Sequence, residues 1–84
     1  MPANILMPKV GGYDVESVTL VRWLKREGDP IQSGESVAEV ESEKAMMELP
    51  SPHSGILLRT LVAEGTEVPV GTVLGIVALD GEKP

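Results

Sequence analysis

The chain of 84 residues is long enough for one small domain and no more. Seven Lys and Arg against thirteen Asp and Glu leave a formal net charge of −6, the wrong sign for holding a polyphosphate, so no nucleic-acid partner is expected. Without a single cysteine there is no disulfide, thiolate nucleophile or Cys-based zinc site, and any thiol chemistry must arrive on a cofactor.

No apolar run approaches the roughly 18 residues of a membrane span, and no basic-then-apolar leader opens the chain. Neither a membrane partner nor secretion is expected. The hydrophobic fraction is 42 %, yet there is no Phe, one Tyr (Tyr13) and one Trp (Trp23), so the core has to be aliphatic. A domain of this size buries only about 60 % of its unfolded surface, which leaves little chain for a deep catalytic pocket.

In chain order, short apolar runs alternate with turn signals, the pattern of an all-β fold. Strands are predicted at residues 4–8, 18–26, 36–41, 45–49, 55–61 and 73–79, with short linking strands at 30–31 and 68–69. The punctuation is Gly11-Gly12, Glu27-Gly28-Asp29, Ser33-Gly34-Glu35, Pro50-Ser51-Pro52, Glu64-Gly65-Thr66 and Val70-Gly71-Thr72, where Gly opens positive φ and Pro pre-sets φ. No stretch carries a 3.6-residue apolar stripe, and seven prolines oppose long helices.

Sliding the chain by 37 residues lays 18–40 on 55–77 and matches Arg22 with Arg59, Leu24 with Leu61, Glu27-Gly28 with Glu64-Gly65, Gly34 with Gly71 and Val40 with Val77. Apolar positions follow: Leu20 with Leu57, Val21 with Leu58, Ile31 with Val68, Val37 with Leu74. Two β half-units that bury one face against each other make a flattened barrel or sandwich with approximate two-fold symmetry. Leu6-Met7-Pro8 resembles Leu49-Pro50, but the connection after it is longer in the first half, by a loop at residues 10–16. The same symmetry puts a hairpin tip at Glu43-Lys44 at one end and the termini near the other.

That hairpin is unusual in its chemistry. Residues 37–41 and 45–49 are joined over Ser42-Glu43-Lys44, whereas a tight hairpin favours Asn-Gly, Asp-Gly or another Gly at the bend. The turn gives up conformational ease for side chains, a local rule-break of the kind that marks functional sites. Taken alone, a hairpin lysine such as Lys44, beside Glu41, Glu43 and Glu48, reads as a solvated turn lysine.

The wording around it is specific. Glu41-Ser42-Glu43-Lys44-Ala45, then Met46 to Pro52 and Gly55, resembles the signature of lipoyl domains of 2-oxo acid dehydrogenase complexes. Ile5-Leu6-Met7-Pro8, the segment Trp23 to Asp29, Gly34 and Glu64-Gly65-Thr66-Glu67-Val68 extend the likeness over essentially the whole chain. The resemblance implies two four-stranded antiparallel sheets with quasi-two-fold symmetry, a barrel-sandwich hybrid, over residues 1–79, with 80–84 beginning a flexible linker. It implies lipoic acid amide-linked to Lys44, which removes the lysine's charge. One departure stands out: the family usually has Asp before the lysine, and here it is Glu43, one methylene longer. Ala45 matches the usual small residue.

By the same resemblance the domain is a non-catalytic carrier, a swinging arm of a dihydrolipoamide acyltransferase. Its partners would be a lipoate-attaching enzyme, a thiamine-diphosphate-dependent 2-oxo acid decarboxylase, the acyltransferase core of the parent chain and dihydrolipoyl dehydrogenase. The sequence does not fix the 2-oxo acid; pyruvate is the first expectation and branched-chain 2-oxo acids the next. Glu41, Glu43 and Ala45 would then serve recognition, as would the loop with Gly11, Gly12, Tyr13 and Asp14, which the family places beside the hairpin. The isolated domain is expected to be a monomer, in a bacterial or archaeal cytoplasm or a mitochondrial matrix.

The nearest rival is a biotinyl carrier, whose lysine has Met on both sides, unlike Lys44 between Glu43 and Ala45. A glycine-cleavage carrier shares the Glu-Ser-x-Lys-Ala stretch but is longer and partly helical. An unmodified β-sandwich interaction module is the reading from another class. A stand-alone enzyme lacks both a pocket and an acid–base pair. Of the remaining features, His53 reads as a surface turn residue without co-ligands. Gly11-Gly12 lacks the third glycine and helix start of a phosphate loop. One of Met46 and Met47 is expected to point into the core.

Overall fold

The structure, a computed structural model, describes residues 2–79. The expected linker start at residues 80–84 lies outside the described residues. Eight strands are formed: β1 (Ala3–Leu6), β2 (Ser17–Trp23), β3 (Pro30–Ile31), β4 (Ser36–Glu41), β5 (Met46–Pro50), β6 (Gly55–Thr60), β7 (Thr66–Pro69) and β8 (Val73–Leu79). They make two four-stranded antiparallel sheets, ordered β1-β8-β6-β3 and β5-β4-β2-β7. The expected all-β sandwich is what forms.

The internal repeat becomes a structural dyad. Exchanging β1 with β5, β2 with β6, β3 with β7 and β4 with β8 turns one sheet order into the other. Even the irregularities obey it: the register slips between Leu20 and Arg22 in the β2–β4 pair, and between Leu57 and Arg59 in the β6–β8 pair. A bulge bends a strand and sharpens its twist, so duplicated bulges give both sheets the same curl. The sequence identities now have causes. Glu64 Oε2 accepts the Trp23 N–H at 2.8 Å, and Glu27 Oε2 accepts that of Thr60 at 2.9 Å, so each half stitches the other. Gly28 and Gly65 sit at φ 94° and 86°, and Gly34 and Gly71 at 88° and 93°, backbone that a side chain would strain.

The match between the first strand of each half differs by one residue from the sequence reading. Leu6 lies opposite Val73 and Pro50 opposite Ser36, which makes Pro50, not Leu49, the counterpart of Leu6. Burial decides the register: Ile5 and Leu49 face inward, and a slip of one residue would turn the exposed Leu6 into the core. Strand ends also retreat from their expected limits. β2 stops at Trp23 rather than residue 26, because the turn that follows closes on itself: the Arg26 N–H donates to Asp29 Oδ2 at 2.9 Å and the Asp29 N–H to the Arg26 carbonyl at 3.0 Å.

The core is aliphatic, as composition requires. Ile5, Met7, Val18, Leu20, Val37, Val40, Leu57, Leu74 and Val77 are almost entirely buried between the sheets. Trp23 packs on the edge of this cluster and its indole N–H reaches the Val62 carbonyl at 3.0 Å. The methionine expectation fails: Met46 and Met47 are both exposed, at 58 % and 38 %. They lie on β5, an edge strand, toward the hairpin end, and Leu49 is the β5 side chain that fills the core.

Candidate functional site

The hairpin between β4 and β5 carries Lys44 at its turn, next to the last paired residues Glu41 and Met46. Its closure explains how the bend manages without glycine. The Ser42 N–H donates to the Ala45 carbonyl at 2.8 Å, while Ser42 Oγ accepts the N–H groups of Lys44 at 3.1 Å and Ala45 at 3.2 Å. A side-chain hydroxyl thus takes the place of a backbone acceptor, and no residue of the turn needs positive φ. Ser42 is half-buried, whereas Glu41, Glu43, Lys44 and Ala45 are exposed, so the rigid part faces inward and the reactive part outward.

The loop between β1 and β2 does lie beside this turn. Val10 and Val15 anchor it in the core, and the Val15 N–H closes on the Gly12 carbonyl at 3.3 Å. Gly11 abuts the hairpin so closely that a Cβ on it would fall 2.8 Å from Lys44 Cβ and 3.0 Å from Ser42 Oγ. Asp14 Oδ2 accepts a hydrogen bond from Lys44 Nζ and forms an ion pair with it. Tyr13 stands 95 % exposed, with Lys9 Nζ 5.5 Å from its ring centroid. Of the residues singled out from sequence, Gly11, Asp14, Lys44 and Ala45 therefore meet in one place, and Glu43 lines a cleft together with Asp14, Val15, Glu16, Ser17 and Glu67. Glu41 is the last residue of β4, at the foot of the turn, and Gly12 and Tyr13 belong to the loop rather than to the lysine's own contacts.

Two features escaped the sequence. The Asp14–Lys44 pair joins residues thirty apart in the chain, which no local spacing reveals. The role of Ser42 had a signal, a hydroxyl directly before a glycine-free bend, but its bonding needed the backbone in place. His53 is exposed, and among the described residues no group of three or more His, Cys, Asp or Glu is set to hold a metal.

What the arrangement offers is a lysine on a turn fixed by Ser42, its side chain 44 % exposed and its ammonium paired with the Asp14 carboxylate. The family model Biotin_lipoyl, described as "Biotin-requiring enzyme", matches residues 3–77. The chain belongs to this biotin/lipoyl family. Among similar proteins, "Pyruvate dehydrogenase E1 component subunit beta" of Rhizobium meliloti (strain 1021) is 43 % identical over 98 % of this chain and 18 % of its own length. A "Dihydrolipoyllysine-residue acetyltransferase component of pyruvate dehydrogenase complex" of Rickettsia typhi is 39 % identical over 98 % of this chain and 20 % of its own. The chain therefore spans about a fifth of the length of these relatives. Among solved structures, the lipoyl domain of the 2-oxoglutarate dehydrogenase complex of Azotobacter vinelandii has the same fold, with a TM-score of 0.71, 23 % identity, and coverage of 92 % of this chain and 99 % of that one.

Proposed function

We propose that this biotin/lipoyl domain is a lipoyl carrier and that Lys44 is the residue to which lipoic acid is joined by an amide. The observation that carries the reading is the exposed lysine on a rigid glycine-free turn, flanked by Glu43 and Ala45 and not by the paired methionines of a biotinyl lysine. The relatives named as an E1 subunit and an acetyltransferase of pyruvate dehydrogenase support lipoate over biotin. When attached, the group supplies a dithiolane that takes up an acyl group together with two electrons. This chain's residues then have a mechanical task. Ser42 fixes the turn, Glu43 and Ala45 flank the lysine, and the Gly11–Asp14 side of the loop sets the surface that an incoming enzyme meets. The domain performs no catalysis of its own.

The partners follow from that role: a lipoate-attaching enzyme, a thiamine-diphosphate-dependent 2-oxo acid decarboxylase, an acyltransferase and a flavin dihydrolipoyl dehydrogenase. A rigid domain on a tether raises the effective concentration of its arm at each active site in turn. The parent chain we assign is a dihydrolipoamide acyltransferase. The relative named as an E1 β subunit supports a second parent, in which the carrier is fused to the decarboxylase, and the sequence flanking these 84 residues separates the two. Either complex belongs in a bacterial or archaeal cytoplasm, or in the mitochondrial matrix of a eukaryote.

Intact mass and peptide mapping after expression with both lipoate and biotin supplied test the assignment. One lipoyl increment on Lys44, lost in Lys44→Arg, is the expected result. A biotin increment, or an unmodified Lys44 beside a modified control lipoyl domain, would overturn it.

A further inference from the structure

The segment 11–14 is a short bridge with both ends sunk in the core through Val10 and Val15. Its Gly11 is pressed against the Lys44 and Ser42 positions, so the bridge cannot drift along the hairpin without losing that contact. From this fixed backbone Asp14 directs its carboxylate to Lys44 Nζ. The other charges at this end are differently engaged. Glu67 Oε2 accepts a hydrogen bond from Ser17 Oγ at 2.9 Å, Lys9 lies over the Tyr13 ring, and Glu43 and Glu16 share the cleft with Asp14.

We propose that Asp14 is a specificity-determining residue that makes the loop report whether Lys44 has been acylated. The proposal rests on the reading of Lys44 as the attachment lysine. In the unmodified protein the ammonium holds the Asp14 carboxylate against the hairpin. On attachment the Nζ–carbon bond forms as the leaving group of the activated carboxyl departs, and the ammonium gives up two protons to become a neutral amide. No electrons change hands. The amide cannot form the ion pair, so Asp14 is released beside Glu16 and Glu43. One covalent event therefore removes a positive charge from this end and frees a negative one. A partner that approaches loop and hairpin with cationic side chains meets the Asp14 carboxylate on the modified domain and finds it neutralised on the unmodified one.

Both side chains are substantially exposed, 44 % for Lys44 and 69 % for Asp14. A pair of that kind biases a population by about two- to five-fold, weak enough for an attaching enzyme to break and large enough to discriminate.

Backbone-amide NMR of the 84-residue chain tests this in four forms: unmodified, lipoylated, Lys44→Gln and Asp14→Asn. Lys44→Gln, which removes the charge without adding an arm, moves the Gly11, Gly12 and Asp14 amides in the direction that lipoylation does, and high salt moves the unmodified protein the same way. In Asp14→Asn the Lys44→Gln change leaves the Gly11 and Gly12 amides in place. An oligolysine peptide binds Lys44→Gln about two- to five-fold more tightly than the Lys44→Gln/Asp14→Asn double variant. If Lys44→Gln leaves the loop amides where they are, or moves them equally with and without Asp14, the proposal fails. Failure of Lys44 to take lipoate would instead refute the carrier reading, because the glutamine, asparagine and salt arms judge the ion pair without it.

Discussion

Replacing Gly11 by alanine is the sharpest probe of how loop and hairpin are joined. Gly11 has φ +95°, and its new Cβ would sit 2.8 Å from Lys44 Cβ and 3.0 Å from Ser42 Oγ. The first obstacle is conformational, about 1–3 kcal/mol for a non-glycine residue in such backbone. The second is steric, because Lys44 Cβ is fixed to the turn and cannot swing aside; overpacking of this kind costs about 1–3 kcal/mol more. Gly28 supplies the control. Its φ is +94° with nothing within 4 Å of the added Cβ, so Gly28→Ala measures the conformational cost alone. Gly11→Ala should therefore destabilise by about 1–3 kcal/mol more than Gly28→Ala, within a total stability of roughly 4–13 kcal/mol for a chain of this length. Urea titration followed by the fluorescence of Trp23, the sole tryptophan, reads both variants. Equal losses would refute the packing of the loop on the turn, and with it the route by which Asp14 is positioned.

Other expectations follow from single contacts. Ser42→Ala removes the acceptor for two turn N–H groups and should cost about 0.5–1.5 kcal/mol while slowing lipoylation more than an alanine at Glu41, measured by urea midpoint and by mass spectrometry over time. Gly55→Ala would drive a Cβ to 1.8 Å from the Ala78 carbonyl oxygen, so β6 cannot keep its place beside β8, and a loss of about 4 kcal/mol or more, or no soluble fold, is expected by circular dichroism. The Glu35 carboxyl is held below its ordinary value first by the hydrogen bond from Lys25 and then by the Gln32 N–H. A folded-state value below the unfolded one means that its stabilisation is present above the ordinary carboxylate range and is lost as pH falls through the lowered value. Glu35→Gln should flatten that acid limb of a stability–pH curve; an unchanged limb would assign it to other carboxylates.

Much of the fold was legible because the chain states it twice. The 37-residue repeat marked the glycines whose backbone is left-handed and the glutamates that stitch the halves, and alternation of burial fixed which face of each strand turns inward. What stayed hidden was set by distance in the chain or by position in a sheet. Met46 and Met47 carry the side chains of a core strand, yet an edge strand near the hairpin end leaves them in water. Leu6 looks like Leu49 in letters but is the counterpart of Pro50 in space, since Ile5 and Leu49 are the side chains that face the core and both halves pair alike around them. Lys44 was visible from its neighbours, whereas its partner Asp14 came into reach through a loop whose path depends on two buried valines.

The body measures 40 × 21 × 17 Å, with Lys44 at one end of the dyad-related strands and the Ala3 and Leu79 ends of β1 and β8 at the other. This geometry makes the domain a spacer as well as a carrier. The strands between set a fixed separation between the Ala3 and Leu79 end and the turn that carries the lysine. If Lys44 carries the proposed arm, a cross-section of 21 × 17 Å is far too broad to thread a narrow channel, so an enzyme acting on that arm would bury its chemistry no deeper than the arm extends beyond Lys44. Under that proposal, the depth of such an enzyme's active-site tunnel would be limited by a dimension of this small protein.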